Sequence, residues 1–554
     1  GPETTICGHE FDPHLLRGKL QAPHAICSPS QPGSLPCNIA SHCVWNTSSE
    51  RSSGTIRASS RTRTSASQSA RREQYQPRCS ESEVLHQVLL AHLETFLARI
   101  ASDPTSPSLP SHVEHELRAH LTCGILAHGF CRFYCFACGS DLLIPFSCKG
   151  RGFCPSCGGR RMAESAAHLV DHVFPDVPVR QWVISFPWRL RYLLALDASL
   201  CRAVRRVFLR AVFRFYSVRA EADAIESGRT GGVNQIQRYG SALNANTHFH
   251  ALVLDGVYTA PDAWSAPTFH PAARITNVEV ATLLFTIRSR VLRLCRRRGL
   301  MGEEGELGAS LFSESQGLLP LLCAASIQGR SALGAEPGAR IERRGIPEAT
   351  VPGCAVVVRE LCADLDGFSL HAAVKIDAGE TSRLEHLCRY ITRPALSNKR
   401  LSLAPDGRVV HELRAPFRDG TTHFIFEPLA FIERLAALVP PPRLHQLTYH
   451  GVLAPAASWR SDIVPAPRPR RRASCGGTSA LPLHRYSFSE LMMRVFRIDA
   501  LTCAKCGSER RWIAAITSGE AIAKILDHLD LPSAVVQPSP PRAPPQAEFE
   551  FEGC

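Results

Sequence analysis

The sequence predicts an α+β protein in which a helical, cysteine-rich module precedes a larger domain of strands and helices. Three observations carry this. Several long segments repeat apolar residues at helical spacing, while short β-branched runs bounded by turn residues alternate with them. Seven of the 22 cysteines fall between Cys123 and Cys157. One strand-like run, Asn246 to Gly256, carries two histidines two residues apart.

A chain of 554 residues is long enough for about three or four domains. The formal net charge of +13 favours a polyanionic partner, nucleic acid before an anionic membrane. No stretch approaches the apolar length of a membrane span, and the N-terminus shows no charged-then-apolar export pattern. Clustered cysteines in such a chain point to metal in a reducing compartment rather than to disulfides.

Residues 1–79 are rich in Ser, Pro, Thr and Arg without apolar periodicity, and are expected to be a disordered extension. Ser80-x-x-Glu83 reads as a capping box that opens a helix over 81–101, its core face being Leu85, Val88, Leu89, Leu93, Phe96, Leu97 and Ile100. A Pro-rich link and a second helix, 111–122, lead into the cysteines. Cys135, Cys138, Cys154 and Cys157 form C-x₂-C-x₁₅-C-x₂-C. Each pair can set two thiolates on one ion from a tight knuckle, and four thiolates close a tetrahedral structural zinc site. Cys148 and Cys131 are spare candidates, either able to replace a member of the four. Lys149, Arg151, Arg160 and Arg161 surround this module, as phosphate contacts or as solvated charge.

Residues 181–186 read as a strand that stops before Pro187, and 197–220 as a helix. Arg202, Arg206, Arg210 and Arg214 recur every four residues on that helix, a stripe suited to a nucleic-acid backbone or to bulk water. The central strand follows. Alternation puts His248 and His250 on one face, as half of a divalent-metal site or as two surface or hydrogen-bonded histidines. Beyond it are a helix at 279–298, a Gly-rich irregular insertion at 300–350, short strands at 354–359 and 369–376, and a helix at 380–392 that Pro394 ends. A hairpin is expected over 408–427 and a helix over 431–438, with Tyr449 in a loop flanked by Gly and Pro. A Pro/Arg linker, 465–472, precedes Cys503-x-x-Cys506. That pair is half a metal site, which His528 or a pair from another chain could complete. The last twenty residues are Pro-rich and acidic, and a disordered tail is expected.

Three segments together resemble a known family. They are Phe146-Ser-Cys-Lys-Gly-Arg-Gly-Phe-Cys-Pro-Ser-Cys-Gly-Gly-Arg-Arg-Met162, Ile236 to Gly256, and Arg389-Tyr-Ile-Thr-Arg-Pro394. In this order they resemble the rolling-circle transposases of bacterial insertion-sequence family ninety-one, within the HUH endonuclease superfamily. The resemblance runs from about Tyr75 to about Leu531. It implies a helical zinc-binding domain over 80–165, a catalytic domain over 166–455 built on a five-stranded antiparallel sheet flanked by helices, and a linker, CxxC segment and tail over 456–554.

It further implies that His248 and His250, with Phe249 between them, bind Mg²⁺ or Mn²⁺, and that Tyr390 is the nucleophile. Gln237, which precedes the strand within the motif, is the candidate third ligand. The implied reaction is cleavage and rejoining of single-stranded DNA through a 5′-phosphotyrosine, in a bacterial, cytoplasmic, nucleoid-associated setting, with self-association left open. Many relatives carry two tyrosines four residues apart. Here the flanking positions are His386 and Pro394, so the chain reads as a one-tyrosine member. The competing readings are a zinc-ribbon DNA-binding protein whose catalysis has decayed, and an RNA-binding zinc protein.

Overall fold

The computed structural model describes residues 80–102, 108–262, 264–302, 307, 317–334, 336–345, 359–417, 419–465, 489–490, 492–493 and 499–542. The expected extension at 1–79 lies outside these residues. So do 354–358 of one expected strand, 466–472 of the linker, and 543–554 of the tail.

Helix α1 (Val84–Ala101) buries its expected apolar face except Leu97, which is half-buried. The expected capping box is not made. Ser80 begins a 3-10 turn, Ser80–Ser82, and Glu83 takes the cap position without a side-chain bond. Ser80 is drawn inward instead, over Gly124, where an added Cβ would lie 2.6 Å from its Oγ. Helix α2 (Ser111–His120) leads to β1 (Phe130–Cys135), β2 (Ser140–Pro145) and α3 (Pro155–His172). Pro155 sits in the first turn of α3, where its missing N–H costs nothing. Helix α3 runs without a break past residue 165, the expected domain boundary.

The remaining elements build around one sheet. They are β3 (Val179–Ser185), α4 (Trp188–Leu196), α5 (Ala198–Ala222), β4 (Gly231–Tyr239), β5 (Ala245–Leu254), β6 (Gly256–Thr259), β7 (Thr268–Pro271) and α6 (Asn277–Arg297). Then come α7 (Leu318–Gln328), β8 (Glu342–Gly345), β9 (Cys362–Leu365), β10 (Phe368–His371), β11 (Lys375–Ile376), α8 (Thr381–Ile391), β12 (Leu401–Leu403), β13 (Val409–Glu412), β14 (Thr421–Phe426), α9 (Pro428–Leu438) and β15 (Leu447–Gly451). A single turn, α10 (Arg460–Ile463), precedes β16 (Arg511–Ile516) and α11 (Gly519–His528).

Among the described residues the main sheet has seven strands rather than the expected five, in the order β15-β4-β5-β3-β10-β9, with β11 also on β3. Every pairing in it is antiparallel. Strand β5 is central and buried along its whole length. Its two faces belong to different cores. Phe249, Ala251 and Val253 pack with α4, α5, α6 and α7. Leu252 and Leu254, on the face that carries His248 and His250, pack with α3 and α8. Smaller sheets are β12-β13-β14-β8, β6-β7 and β16-β1-β2.

Two further expectations are corrected. The 300–350 segment is not irregular throughout, because Leu318 to Gln328 form α7 with Leu318, Leu322, Cys323 and Ile327 buried. Its glycines mark the ends: Gly317 precedes the helix and Gly329 caps it at φ +70°. Tyr449 is not in a loop but in edge strand β15, opposite Val233. Asp255, just after β5, is a buried acceptor. Arg180 donates to it twice, at 2.8 and 2.9 Å, and the Tyr216 hydroxyl at 2.7 Å.

Candidate active site and metal centres

Antiparallel register assembles the first site. Gln237 on β4 lies directly opposite His248, and Val183 on β3 directly opposite His250. Opposite residues share a face, so Gln237, His248 and His250 point together under α8. All three are at least 96% buried.

Each imidazole is oriented through Nδ1. His248 Nδ1 is 2.7 Å from the Asn246 carbonyl oxygen. A carbonyl only accepts, so Nδ1 carries the proton and the neutral ring presents the Nε2 lone pair. His250 Nδ1 is 2.8 Å from the Gln181 amide nitrogen. The Gln181 oxygen is buried without a partner. Turning that amide over, which leaves its shape unchanged, lets the oxygen accept from Nδ1. Burial first, then the neighbouring His248, Arg393 and His371, hold the His250 pKa well below its ordinary value. The ring is therefore neutral at pH 7, the form that binds a metal.

His250 Nε2 and Gln237 Oε1 are both buried with no hydrogen-bond partner. Gln237 spends its amide nitrogen on the Ile391 carbonyl at 2.8 Å, at the end of α8. Unpaired buried acceptors are costly. Two of them on the His face fit a divalent cation held by His248, His250 and the Gln237 oxygen. Among the described residues no carboxylate, thiol or third imidazole approaches the pair closely enough to share an ion.

Helix α8 brings Tyr390 over the same face. Its ring is edge-on to His250, with centroids 6.0 Å apart. The Arg393 guanidinium lies 4.2 Å from the Tyr390 ring centroid. The Tyr239 hydroxyl donates to the Arg393 carbonyl, which ties the end of β4 to the segment after α8. Tyr449 shares this sheet face but sits opposite Val233, and its aromatic neighbour is His168, at 6.4 Å. Arg393 and Arg414 stand close enough to Arg400 to lower its pKa, after the larger effect of burial. Sequence reasoning missed Gln181, Arg393 and Arg400 as site residues. Only Arg393 left a trace, as part of the Arg389–Pro394 segment.

The cysteines are distributed differently from the expected quartet. Cys154 and Cys157, at the start of α3, meet Cys123 and Cys148. Sγ separations are 3.7 Å for Cys123–Cys154, 3.8 Å for Cys123–Cys157 and 3.5 Å for Cys148–Cys157. Zn–S bonds of ~2.3 Å in a tetrahedron require sulfurs ~3.8 Å apart, so this set fits zinc. Hydrogen bonds from Cys123, Cys148 and Cys154 hold the Cys157 thiol well below its ordinary range. Cys135 and Cys138 are elsewhere, beside Cys503 and Cys506. The even C-x₂-C spacing suggested one site because pairs close in sequence were matched to each other. Strand β1 carries the first pair away from α3. Cys131, on β1, joins neither set.

The arginines also divide. Arg202, Arg206, Arg210 and Arg214 are exposed, but α5 covers the sheet face opposite the histidines. Arg214 pairs with Glu221 at 2.7 Å. Arg151 donates to the Leu444 carbonyl, and Arg161 to the carbonyls of Lys149 and Gly150, so both brace the knuckle loop. Arg160 is exposed.

Two family models match the chain. Residues 88–186 match the IS91 transposase zinc-binding domain, and residues 231–461 match a family described as "Putative transposase". The chain belongs to the IS91-family transposases. It is a DNA-processing protein with an N-terminal zinc-binding domain and structural zinc. No curated protein and no solved structure matches it. The zinc-domain match contains Cys123, Cys148, Cys154 and Cys157, and the transposase match contains Gln237, His248, His250 and Tyr390. No described helix of this transposase is long and apolar enough to cross a membrane.

Proposed function

We propose that this transposase cuts and rejoins single-stranded DNA through a covalent 5′-phosphotyrosine on Tyr390, in rolling-circle transposition of the HUH type. The observation that carries the reading is the placement of Tyr390 edge-on to His250 above two unpartnered buried acceptors, His250 Nε2 and Gln237 Oε1.

Tyr390 supplies the nucleophilic oxygen. A phenol is weakly nucleophilic at neutral pH, since its ordinary pKa is near 10. The guanidinium of Arg393 beside the ring is placed to pair with the phosphate that Tyr390 attacks. His248, His250 and Gln237 would hold Mg²⁺ or Mn²⁺, which supplies Lewis acidity toward a scissile phosphate oxygen. The Tyr390 oxygen bonds to phosphorus as the bond from phosphorus to the 3′ oxygen breaks. The 5′ side stays on the protein and the other strand leaves with a 3′-OH. That hydroxyl, or another like it, reverses the step and restores a phosphodiester without ATP. Arg400 and Arg414, with Arg393, extend positive charge from the tyrosine along a path for the DNA backbone.

A covalent-capture assay tests this. The full chain is mixed with labelled single-stranded DNA from the element's ends, with Mn²⁺ or chelator, and run on a denaturing gel. A metal-dependent shifted band is expected, lost in both Tyr390→Phe and His248→Ala. DNA binding with no covalent band would instead identify a DNA-binding copy with decayed catalysis. A band surviving Tyr390→Phe would move the nucleophile, with Tyr449 next in line.

A further inference from the structure

We propose that Cys135, Cys138, Cys503 and Cys506 hold a second zinc ion, in a ribbon closed by two distant parts of the chain. The second pair lies outside both matched segments. All four sulfurs lie within 4.8 Å of one another. Cys135 and Cys506 are 3.5 Å apart, as are Cys138 and Cys503. Those separations are near the ~3.8 Å edge of a zinc tetrathiolate and far from the ~2.05 Å of a disulfide.

The backbone repeats one device at both pairs. Gly139 N–H donates to the Cys135 carbonyl and Gly507 N–H to the Cys503 carbonyl, each at 2.9 Å. Both glycines have positive φ, +69° and +75°, so the chain turns tightly after each C-x₂-C. Strand β1 leads into the first knuckle and β2 out of it. A Thr502–Glu509 bridge closes the second knuckle, and β16 leaves it to pair with β1 from Tyr134↔Arg511 to Phe130↔Ile516. The Ser140 hydroxyl lies 3.2 Å from Cys138 Sγ and 3.3 Å from Cys503 Sγ, an outer donor shared by the two pairs.

The ribbon needs such a tie. Its apolar support is two small clusters, Phe130, Leu143, Ile522 and Leu526, and then Phe133, Ile144 and Ala500. A core of that size does not by itself order a segment joined through a long connection, whereas a tetrathiolate zinc does. Zinc here fastens the 499–531 segment to the N-terminal module, across 365 residues between Cys138 and Cys503.

The test counts metal on the full chain purified under reducing conditions. Elemental analysis should give two zinc per parent chain and one in the Cys503→Ser/Cys506→Ser variant. Cobalt substitution should show thiolate-to-cobalt absorption in both proteins, halved in the variant. Limited proteolysis should cleave within 499–531 at least about tenfold faster in the variant, with the rest of the chain protected. One zinc in both proteins would overturn the proposal. So would recovery of the four cysteines as metal-free disulfides after alkylation under non-reducing conditions.

Discussion

Gln181 sits where one hydrogen bond decides which ring nitrogen His250 presents to the proposed metal. Its carboxamide touches His250 Nδ1, leaving Nε2 aimed into the site. Partners of this kind tune metal affinity by about 10–100-fold. Gln181→Leu should therefore raise the Mn²⁺ concentration for half-maximal covalent capture by that factor while leaving the saturated yield of Tyr390 adduct largely intact. A titration of adduct against Mn²⁺ separates this from a folding defect, which would lower the plateau without shifting the midpoint. Gln181 left no mark in the sequence, since a Gln in a strand normally reads as a solvent-facing residue. Tyr390 and the histidines, as candidates, were legible through their motifs. What no motif states is that Gln237 has a free buried oxygen and that Arg393 stacks on the tyrosine.

Between elements, the Arg180–Asp255 pair aligns β3 with β5. Arg180 and Val253 are register partners, and the bidentate bond reaches from one strand to the end of the other. Tyr216 on α5 adds its hydroxyl, and the Trp182 indole donates to that hydroxyl at 3.2 Å. Removing one member leaves a charge buried alone, a loss of about 3–5 kcal/mol. Asp255→Ala is expected to lose that much in urea unfolding, with an unchanged slope if the same surface is exposed. A change below about 1 kcal/mol would show that the pair does not hold the strands. Most elements were legible because periodicity survives in a single sequence. The misses have physical causes. Helix α7 hid between glycines, and β15 looked like a loop because a short edge strand carries little alternation of its own. The capping box failed because Ser80 packs inward over Gly124.

Across the molecule, the first zinc site and the tyrosine share a support. Cys154 and Cys157 open α3, α3 packs beside α8 over the histidine face, and Gly158 abuts Pro394, four residues beyond Tyr390. A Cβ on Gly158 would lie 2.6 Å from that proline. Structural zinc of this type is worth about 10–16 kcal/mol in small domains, comparable to the whole stability of a typical fold. Dialysis against a strong chelator should therefore lower the melting transition by roughly 10 °C or more and abolish covalent capture even after Mn²⁺ is restored. Calorimetry that shows the same transition before and after zinc removal would exclude the structural role.

The sequence by itself determined the α+β class, most helices and strands, the family, and the candidate residues of the proposed chemistry, because these depend on local periodicity and short motifs. Which cysteines lie together, that Gln181 meets His250, which face each arginine serves and how many strands the sheet has were decided only by tertiary structure. The physical reason is distance along the chain. A tetrahedral site selects four sulfurs by their separation in space, and neighbours in sequence on two sides of a strand are carried to different centres.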